Sequence, residues 1–541
     1  WDLPDQFCPV CGTKLKKDGH NIPFETFLGF KGDKIPDIDL NFSGDYQGKV
    51  HEYIRKLFGY NYAYRAGTIG TCGSKTAYAM VRDYFEDINK KREKEGLSPL
   101  TVRRAEMERL AKKIEGSKRT SGQHPGGTVV VPNNKEIYDV TPIQYPGDST
   151  DTSWKTTHFD YHSFEHNLFK LDVLGHDDPT MIKYLMDLVR KDPLDFPFSD
   201  PKDIPVDDPD VYELLSGTEA IGLSPNDINS EVASYGIPEF GTSFVRGMLC
   251  ETKPKTFAEL VKISGLSHGT DVWNSNIQDL IAGRNKSFGR VSFQDVFGCR
   301  DDIMTNLIGY GMQPTQAFEI MEFVRKGKTH VNTDKWGYYT DLMKQSGVPD
   351  WYIWSCNKIK YLFPKAHATA YVLMAMRIAW FKKYRGIYFY AAYFSKRAPF
   401  FDVDAMYQGE EGIRNRMASI NNDSSDRDKN LLTVLEVALE MVMRGYRFNP
   451  IDINRSVATE FMIEEDKKSL LLPFIVVDSL GLAAANSIVE ARTEKPFISK
   501  QDIRNRTKLT KTLFDRLEDL GVFEGMIEED QISLFDLDSG I

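Results

Sequence analysis

The stretch IPDIDLNFSGDYQ, Ile35 to Gln47, alternates with a period of two. Successive residues of a strand point to opposite faces. Asp37 and Asp39 therefore share one face, and Ile38, Leu40 and Phe42 share the other, which needs a core to cover it. Two carboxylates so close repel unless a positive group sits between them: a Lys or Arg, or a divalent metal. A second segment, NLFKLDVLG, repeats the pattern, with Phe169, Leu171 and Val173 on one face and Lys170 and Asp172 on the other. If the two strands are neighbours, Asp37, Asp39 and Asp172 form a site for two hard divalent cations. Mg²⁺ takes few protein carboxylates and shares its remaining positions with substrate phosphate and water. The fold must therefore supply a sheet that sets these strands side by side.

At 541 residues the chain has room for three or four domains. No run of about 18 apolar residues is present, so no membrane span is expected. The chain opens on Trp1 in mid-motif without a signal peptide, as a fragment of a longer chain would. Its six cysteines over this length fit a reducing, cytoplasmic setting better than a disulfide framework. A net charge of −10 argues against nonspecific binding to polyanions. Yet Trp351–Phe401 carries Lys or Arg at 358, 360, 365, 377, 382, 383, 385, 396 and 397, no Asp or Glu, and many interleaved aromatics. Such a segment suits phosphates and bases, or is a buried aromatic helix pair with solvated basic ends.

Several motifs lie around this frame. Cys8 and Cys11 of CPVCGTK make half a zinc site, whose other ligands are expected ahead of residue 1. Residues 49–118 read as mostly helical. KRTSGQHPGG, Lys118 to Gly127, joins two basic residues, a His and a Gly pair just before a β-branched strand. Its charges and glycines suit a phosphate backbone, or simply a tight turn. In HFDYHSFEH, His158, Asp160 and His162 would share a strand face, giving a zinc or iron site or, preferably, a hydrogen-bonded polar edge. GTIGTCGSKT fails the P-loop spacing. A Pro/Asp-rich connection precedes a helix-dominated stretch over 210–400.

Within that stretch Pro364 opens a long helix with Lys365 and His367 in its first turn, where an anion also meets the helix dipole. Arg300 of GCRDD and Arg325, Lys326 and Lys328 of VRKGK could add charge there. A packed helix with a satisfied core histidine is the plain alternative. Leu480-Gly481-Leu482 forms a hairpin running into a helix, a form that binds phosphate through backbone N–H groups. Gln531 to Phe535, QISLF, in an acidic tail, suits insertion into a partner's apolar groove.

The strings CPVCGTKLKKDGHNIPFETFLGFKGDKIPDIDLNF, RTSGQHPGGTVVVP, FKLDVLGHDDPT, SGLSHGTDVW, FPKAHATAYVLMA and QISLF occur in this order across the whole chain. Together they closely resemble the C-terminal polymerase half of the PolC-type DNA polymerase III alpha subunits, the C-family bacterial replicative enzymes. The resemblance implies a multidomain α+β chain: a polymerase-beta-like nucleotidyltransferase palm, helical thumb and fingers, and a helix-hairpin-helix duplex-binding region. The implied segments are a partial zinc module (1–24), palm (25–48 and 115–180), thumb (49–114), fingers (181–398), duplex-binding region (399–527) and a clamp-binding tail (528–541).

It implies template-directed addition of dNMP from dNTP to a primer 3′-hydroxyl by two-metal phosphoryl transfer, with Asp37, Asp39 and Asp172 holding two Mg²⁺. Metal, not a lysine, would then neutralise the opening pair. Phe363, Lys365, His367, Arg300, Arg325, Lys326, Lys328, Ser267 and His268 would meet the nucleotide. Lys118, Arg119, His124, Gly126, Gly127, Leu480, Gly481 and Leu482 would meet DNA. Gln531, Leu534 and Phe535 would bind the sliding clamp, alongside other replisome subunits, and Cys8 and Cys11 a structural Zn²⁺. The family's Gly-Ser triphosphate signature, its two further zinc cysteines and its exonuclease, PHP and OB regions are missing from this chain, which predicts weak substrate binding or inactivity for it alone. A noncatalytic, clamp-tethered DNA-binding scaffold and a metallohydrolase built on His158, Asp160 and His162 are the competing classes.

Overall fold

The computed structural model describes residues 1–32, 35–36, 38–146, 150, 152–421 and 423–529. The chain divides into two compact units, residues 33–176 and residues 1–32 with 177–541.

The 33–176 unit is built on a mixed six-stranded sheet of order β1-β6-β3-β2-β5-β4. Its strands are β1 (Ile38–Ser43), β2 (Ala63–Thr71), β3 (Lys118–Val130), β4 (Ile143–Gln144), β5 (Thr156–Asp160) and β6 (Phe169–His176). The two acidic strands are neighbours, β1 and β6 running parallel with Asp39 opposite Asp172. The helix Gly44–Phe58 follows β1 directly. Asp45 in its first turn and Arg55 and Lys56 in its last complement its dipole, and Gly59, at φ +102°, ends it. Its Ile54 packs with Val173 and Ala63, joined by Phe42 and Leu171. The apolar sides of both acidic strands thus point into one core, which by strand alternation leaves Lys170 and Asp172 on the opposite face.

Three expectations change here. The segment read as helical over 49–118 contains β2, whose Thr, Ile and Gly residues pair with β3 and β5; the helical hairpin is Ser74–Lys94 and Arg104–Ile114. KRTSGQHPGG is not a turn before β3 but its first ten residues. His162 lies in a 3₁₀ turn after β5, off the face it was expected to share with His158 and Asp160.

The second unit is mainly helical around one large apolar core. The basic and aromatic stretch is core rather than surface. Along the helices Lys365–Tyr384 and Gly386–Lys396, Ile378, Phe381, Phe389 and Tyr390 are fully buried. Lys382, also fully buried, donates to the carbonyls of Ala233 (2.7 Å) and Tyr235 (2.6 Å) and lies 2.8 Å from the buried Glu440 carboxylate. Glu440 in turn accepts from Tyr390 Oη at 2.7 Å. Aromatic bulk packs these helices together, and one of the basic residues is spent inside. Towards the C-terminus a small sheet, β7 (Arg447–Asn449), β8 (Met462–Ile463) and β9 (Ser469–Leu471), ordered β7-β9-β8, precedes the helices Leu482–Glu494, Lys500–Arg506 and Lys511–Asp519. No helix among the described residues is long and apolar enough to cross a membrane.

Candidate functional site

The first cluster forms where β1, β6 and β3 lie side by side. Register places Asp39 on one flank of Asp172 and Gly127 on the other. Asp39 is exposed, whereas Asp172 is only 6% exposed. Lys170, on the same face two residues earlier, reaches Asp172 Oδ2 at 2.8 Å. Asp172 Oδ1 is buried and accepts no hydrogen bond among the described residues.

The neighbour of Oδ1 is His124 Nδ1, 3.5 Å away. That nitrogen is already an acceptor, taking the N–H of Gly127 at 2.7 Å and of Gly126 at 3.2 Å. Its ring proton therefore sits on Nε2, and a lone pair rather than a donor faces Asp172. A buried carboxylate oxygen opposite a lone pair, with an exposed carboxylate on the next strand, is a donor set that suits a divalent cation. Asp37, the third expected ligand, lies outside the described residues, and no cluster of three metal-ligating side chains occurs among those described.

The glycine pair explains how His124 gets there. A Cβ on Gly127 would lie 2.9 Å from His124 Nδ1, so the imidazole occupies the space of the missing side chain. A Cβ on Gly126 would lie 2.7 Å from the Val173 carbonyl oxygen, so only glycine lets β3 approach β6 this closely. Arg65 on β2 and Gln47 on the helix Gly44–Phe58 hold the segment. Arg65 donates to the carbonyls of His124 (2.7 Å) and Pro125 (2.9 Å), and Gln47 to those of Pro125 (3.1 Å) and Val173 (2.8 Å). Lys118 and Arg119 are exposed at the far end of β3. Sequence reasoning noticed Lys170 without giving it a role and passed over Arg65 and Gln47, which carry no motif. The histidine-rich segment does not assemble a metal site: Asp160 accepts the N–H of Ile69 and of His162, and His158 pairs with Gln144.

A second cluster belongs to the helical unit. The segment Tyr361–Phe363 is laced by backbone hydrogen bonds to three others: Thr270 N–H to Tyr361 O, Leu362 N–H to Arg325 O, and Arg300 N–H to Phe363 O. Phe363 stacks on His268 with centroids 4.7 Å apart and meets His367 edge-on at 5.0 Å, and His367 lies 4.7 Å from Tyr371. The structure so brings together Phe363, His367, His268 and Arg300.

The expected positive charge is largely committed. Lys365 binds Asp302 at 3.0 Å, and Arg325 and Lys326 both bind Glu322. Lys328 is exposed, and Ser267 donates to the Ser264 carbonyl within its own helix. Arg300 Nε is buried without a hydrogen bond among the described residues and lies 3.8 Å from Asp301 Oδ2. The residue that sequence reasoning missed is Glu239, whose carboxylate accepts from His268 Nε2 at 2.8 Å.

Cys8 and Cys11 sit in a tight knuckle closed by Cys8 N–H to Thr13 O and Gly12 N–H to Cys8 O. Hydrogen bonds from the Thr13 hydroxyl and backbone and from Cys8 bring the Cys11 thiol down to about 7, as suits a thiolate ligand. His20, the nearest in-chain alternative ligand, lies against Phe257 instead. Leu480 is buried, Leu482 exposed, and Gly481 caps the helix Leu482–Glu494 without a side-chain hydrogen bond. A Cβ on Gly481 would meet nothing, so no packing within the chain requires glycine there. Gln531, Leu534 and Phe535 lie outside the described residues.

Family comparison fits this arrangement. Residues 9–175 match the bacterial DNA polymerase III alpha NTPase domain, residues 178–347 the bacterial DNA polymerase III alpha subunit finger domain, and residues 445–531 a helix-hairpin-helix motif. Over 538 residues, 99% of the chain, it is 54% identical to DNA polymerase III PolC-type of Oceanobacillus iheyensis and of Bacillus subtilis, and 52% identical to that of Listeria monocytogenes. The chain belongs to the PolC-type DNA polymerase III family. It covers 36% of the Oceanobacillus protein and 35% of the other two, about a third of each. Within this PolC-type chain the aspartate cluster falls in the NTPase-domain match, and His268, Glu239, Arg300, Arg325, Lys326 and Lys328 fall in the finger-domain match. Phe363, Lys365 and His367 lie beyond it.

Proposed function

We propose that this chain is the nucleotidyl-transferring part of a DNA polymerase that adds dNMP from dNTP to a primer 3′-hydroxyl on a DNA template. The observation that carries the reading is the parallel pairing of Asp39 with Asp172, one of whose oxygens is buried without a hydrogen bond among the described residues. Asp39 and Asp172, with Asp37, would hold the divalent ions, and Cys8 and Cys11 would hold a structural zinc with ligands from elsewhere. Bound at this site, Mg²⁺ supplies charge neutralisation at the triphosphate and activation of the hydroxyl nucleophile.

The chain's own residues do the rest. Lys170 offsets one oxygen of Asp172 while leaving the other for a cation. His124, fixed by Arg65 and the glycine pair, turns the lone pair of Nδ1 rather than a donor towards Asp172. Residues 25–48 and 115–180 would act as palm, 49–114 as thumb, 181–398 as fingers and 399–527 as the duplex-binding region. Phe363 and His268 offer a stacking surface to the incoming nucleotide. The hairpin at Gly481 offers backbone N–H groups to a DNA phosphate, close approach being the reason for glycine. Gln531, Leu534 and Phe535 would engage a sliding clamp.

Mn²⁺, counted by electron paramagnetic resonance, tests the metal site in this chain directly. Wild type should bind it, and Asp39→Asn and Asp172→Asn should each lower the bound fraction at least tenfold. Equal binding by all three favours the scaffold reading, which leaves these carboxylates idle.

A further inference from the structure

The turn Tyr235–Gly241 carries Glu239 in the left-handed region, at φ +66°, a conformation uncommon for a residue with a Cβ. The turn is fastened beneath by Ser234 Oγ donating to Phe240 O at 2.7 Å and by Lys382 donating to the carbonyls of Ala233 and Tyr235. Its product is a carboxylate only 11% exposed, whose Oε2 accepts from both Ser264 Oγ (2.9 Å) and His268 Nε2 (2.8 Å). His268 is the last residue of the helix Phe257–His268, where the helix dipole favours a cation. Its side chain stays 44% exposed and lies at 25° to the Phe363 ring. The fold does not need that imidazole as filling.

An imidazole whose Nε2 donates to a carboxylate has two states. Neutral, it presents a lone pair at Nδ1, which repels a phosphate oxygen. Protonated, it presents a second donor there. Resting on the reading of this cluster as the nucleotide site, we propose that Glu239 is its positioning residue: it holds His268 as a cation laid flat on Phe363, so that Nδ1–H is offered to a phosphate oxygen of the incoming nucleoside triphosphate.

The electrostatics agree with the geometry. The hydrogen bond to Glu239 raises the His268 pKa against the opposing effect of burial, and among the described residues Glu239 is the charged group that acts on it. Burial pushes Glu239 up, but His268 and Ser264 outweigh it and Arg397 adds to them, so the carboxyl ends below its ordinary value. The cation is therefore complete below the ordinary histidine pKa and is lost only as pH rises through the raised one.

The test has two parts. In this chain, an NMR titration of the His268 Cε1–H signal, assigned by its loss in His268→Asn, should give a pKa above the ordinary value of about 6.5, falling back in Glu239→Gln. In the full polymerase chain, Glu239→Gln should raise KM for dNTP by up to roughly tenfold just above the ordinary histidine pKa, the size of one charge-assisted hydrogen bond, with kcat little changed. Near pH 6 the two enzymes should converge.

His268→Asn removes an exposed ring without disturbing the turn. It should match Glu239→Gln just above the ordinary histidine pKa, and the double variant should be no worse. A KM profile in Glu239→Gln that parallels wild type at every pH, or a fall in kcat with KM unchanged, overturns the proposal. Failure of the polymerase reading would show elsewhere, as incorporation that survives Asp39→Asn.

Discussion

Replacing Gly126 by alanine tests the construction of the aspartate site without touching an aspartate. The added Cβ would lie 2.7 Å from the Val173 carbonyl oxygen and 2.8 Å from Leu174 Cδ2. A backbone oxygen cannot swing aside, so β3 must retreat from β6 by roughly half an ångström. Overpacking of this kind costs about 1–3 kcal/mol. The retreat also loosens the Gln47 bridge between Pro125 O and Val173 O, where each net hydrogen bond contributes about 1 kcal/mol. The sum is about 2–4 kcal/mol, or a fall of roughly 5–15 °C in the melting of the 33–176 unit. On the proposed reading His124 moves with its segment; since about 1 Å near reacting atoms costs on the order of 100-fold in rate, half of that should cost about tenfold. Gly122→Ala on the same strand is the control. Its Cβ would meet only Thr68 Oγ1, at 3.2 Å, which can rotate away, so its cost should stay within about 1 kcal/mol. Scanning calorimetry of this chain and primer extension by the full polymerase chain read the two effects. Gly126→Ala melting with wild type, or Gly122→Ala costing as much, would refute the close-approach argument.

Burial and the Arg65 guanidinium hold the His51 imidazole down to about 4. Between about pH 6.5 and 4 the unfolded chain binds the extra proton, so stability falls with pH, by roughly 3 kcal/mol across the window. His51→Leu should flatten that limb in urea titrations, and an unchanged slope would exclude His51 as its source. Lys382→Met strands the Glu440 carboxylate in the core and should cost about 3–5 kcal/mol in chemical denaturation, much of it recovered by adding Glu440→Leu; a silent single variant contradicts the buried pair. Phe535→Ala in the full chain should abolish clamp-dependent processivity and spare distributive synthesis; equal loss of both would count against the groove-insertion reading.

The period-two pattern made both acidic strands legible, because alternation along a strand is a local property. Their adjacency was not legible, since the pairing of Asp39 with Asp172 spans the helices and the four strands β2 to β5 that lie between them in sequence. β2 escaped because its glycines and alanines dilute the strand preference of its Tyr, Thr and Ile residues, and it gains its order from β3. The stretch around Lys382 looked like a nucleic-acid surface because composition cannot separate a basic aromatic face from an aromatic core with one buried lysine. Glu239 was invisible for a related reason: its role depends on a partner 29 residues away and on a backbone conformation that no motif announces. The charges of Arg325, Lys326 and Lys365 were legible, but not the carboxylates that hold them.

The most direct test of the central claim is single-nucleotide primer extension with Mg²⁺ by the full polymerase chain, comparing wild type with Asp39→Asn and Asp172→Asn. The strand-pair site predicts that both substitutions abolish incorporation while primer-template binding persists. Activity in both variants would contradict it.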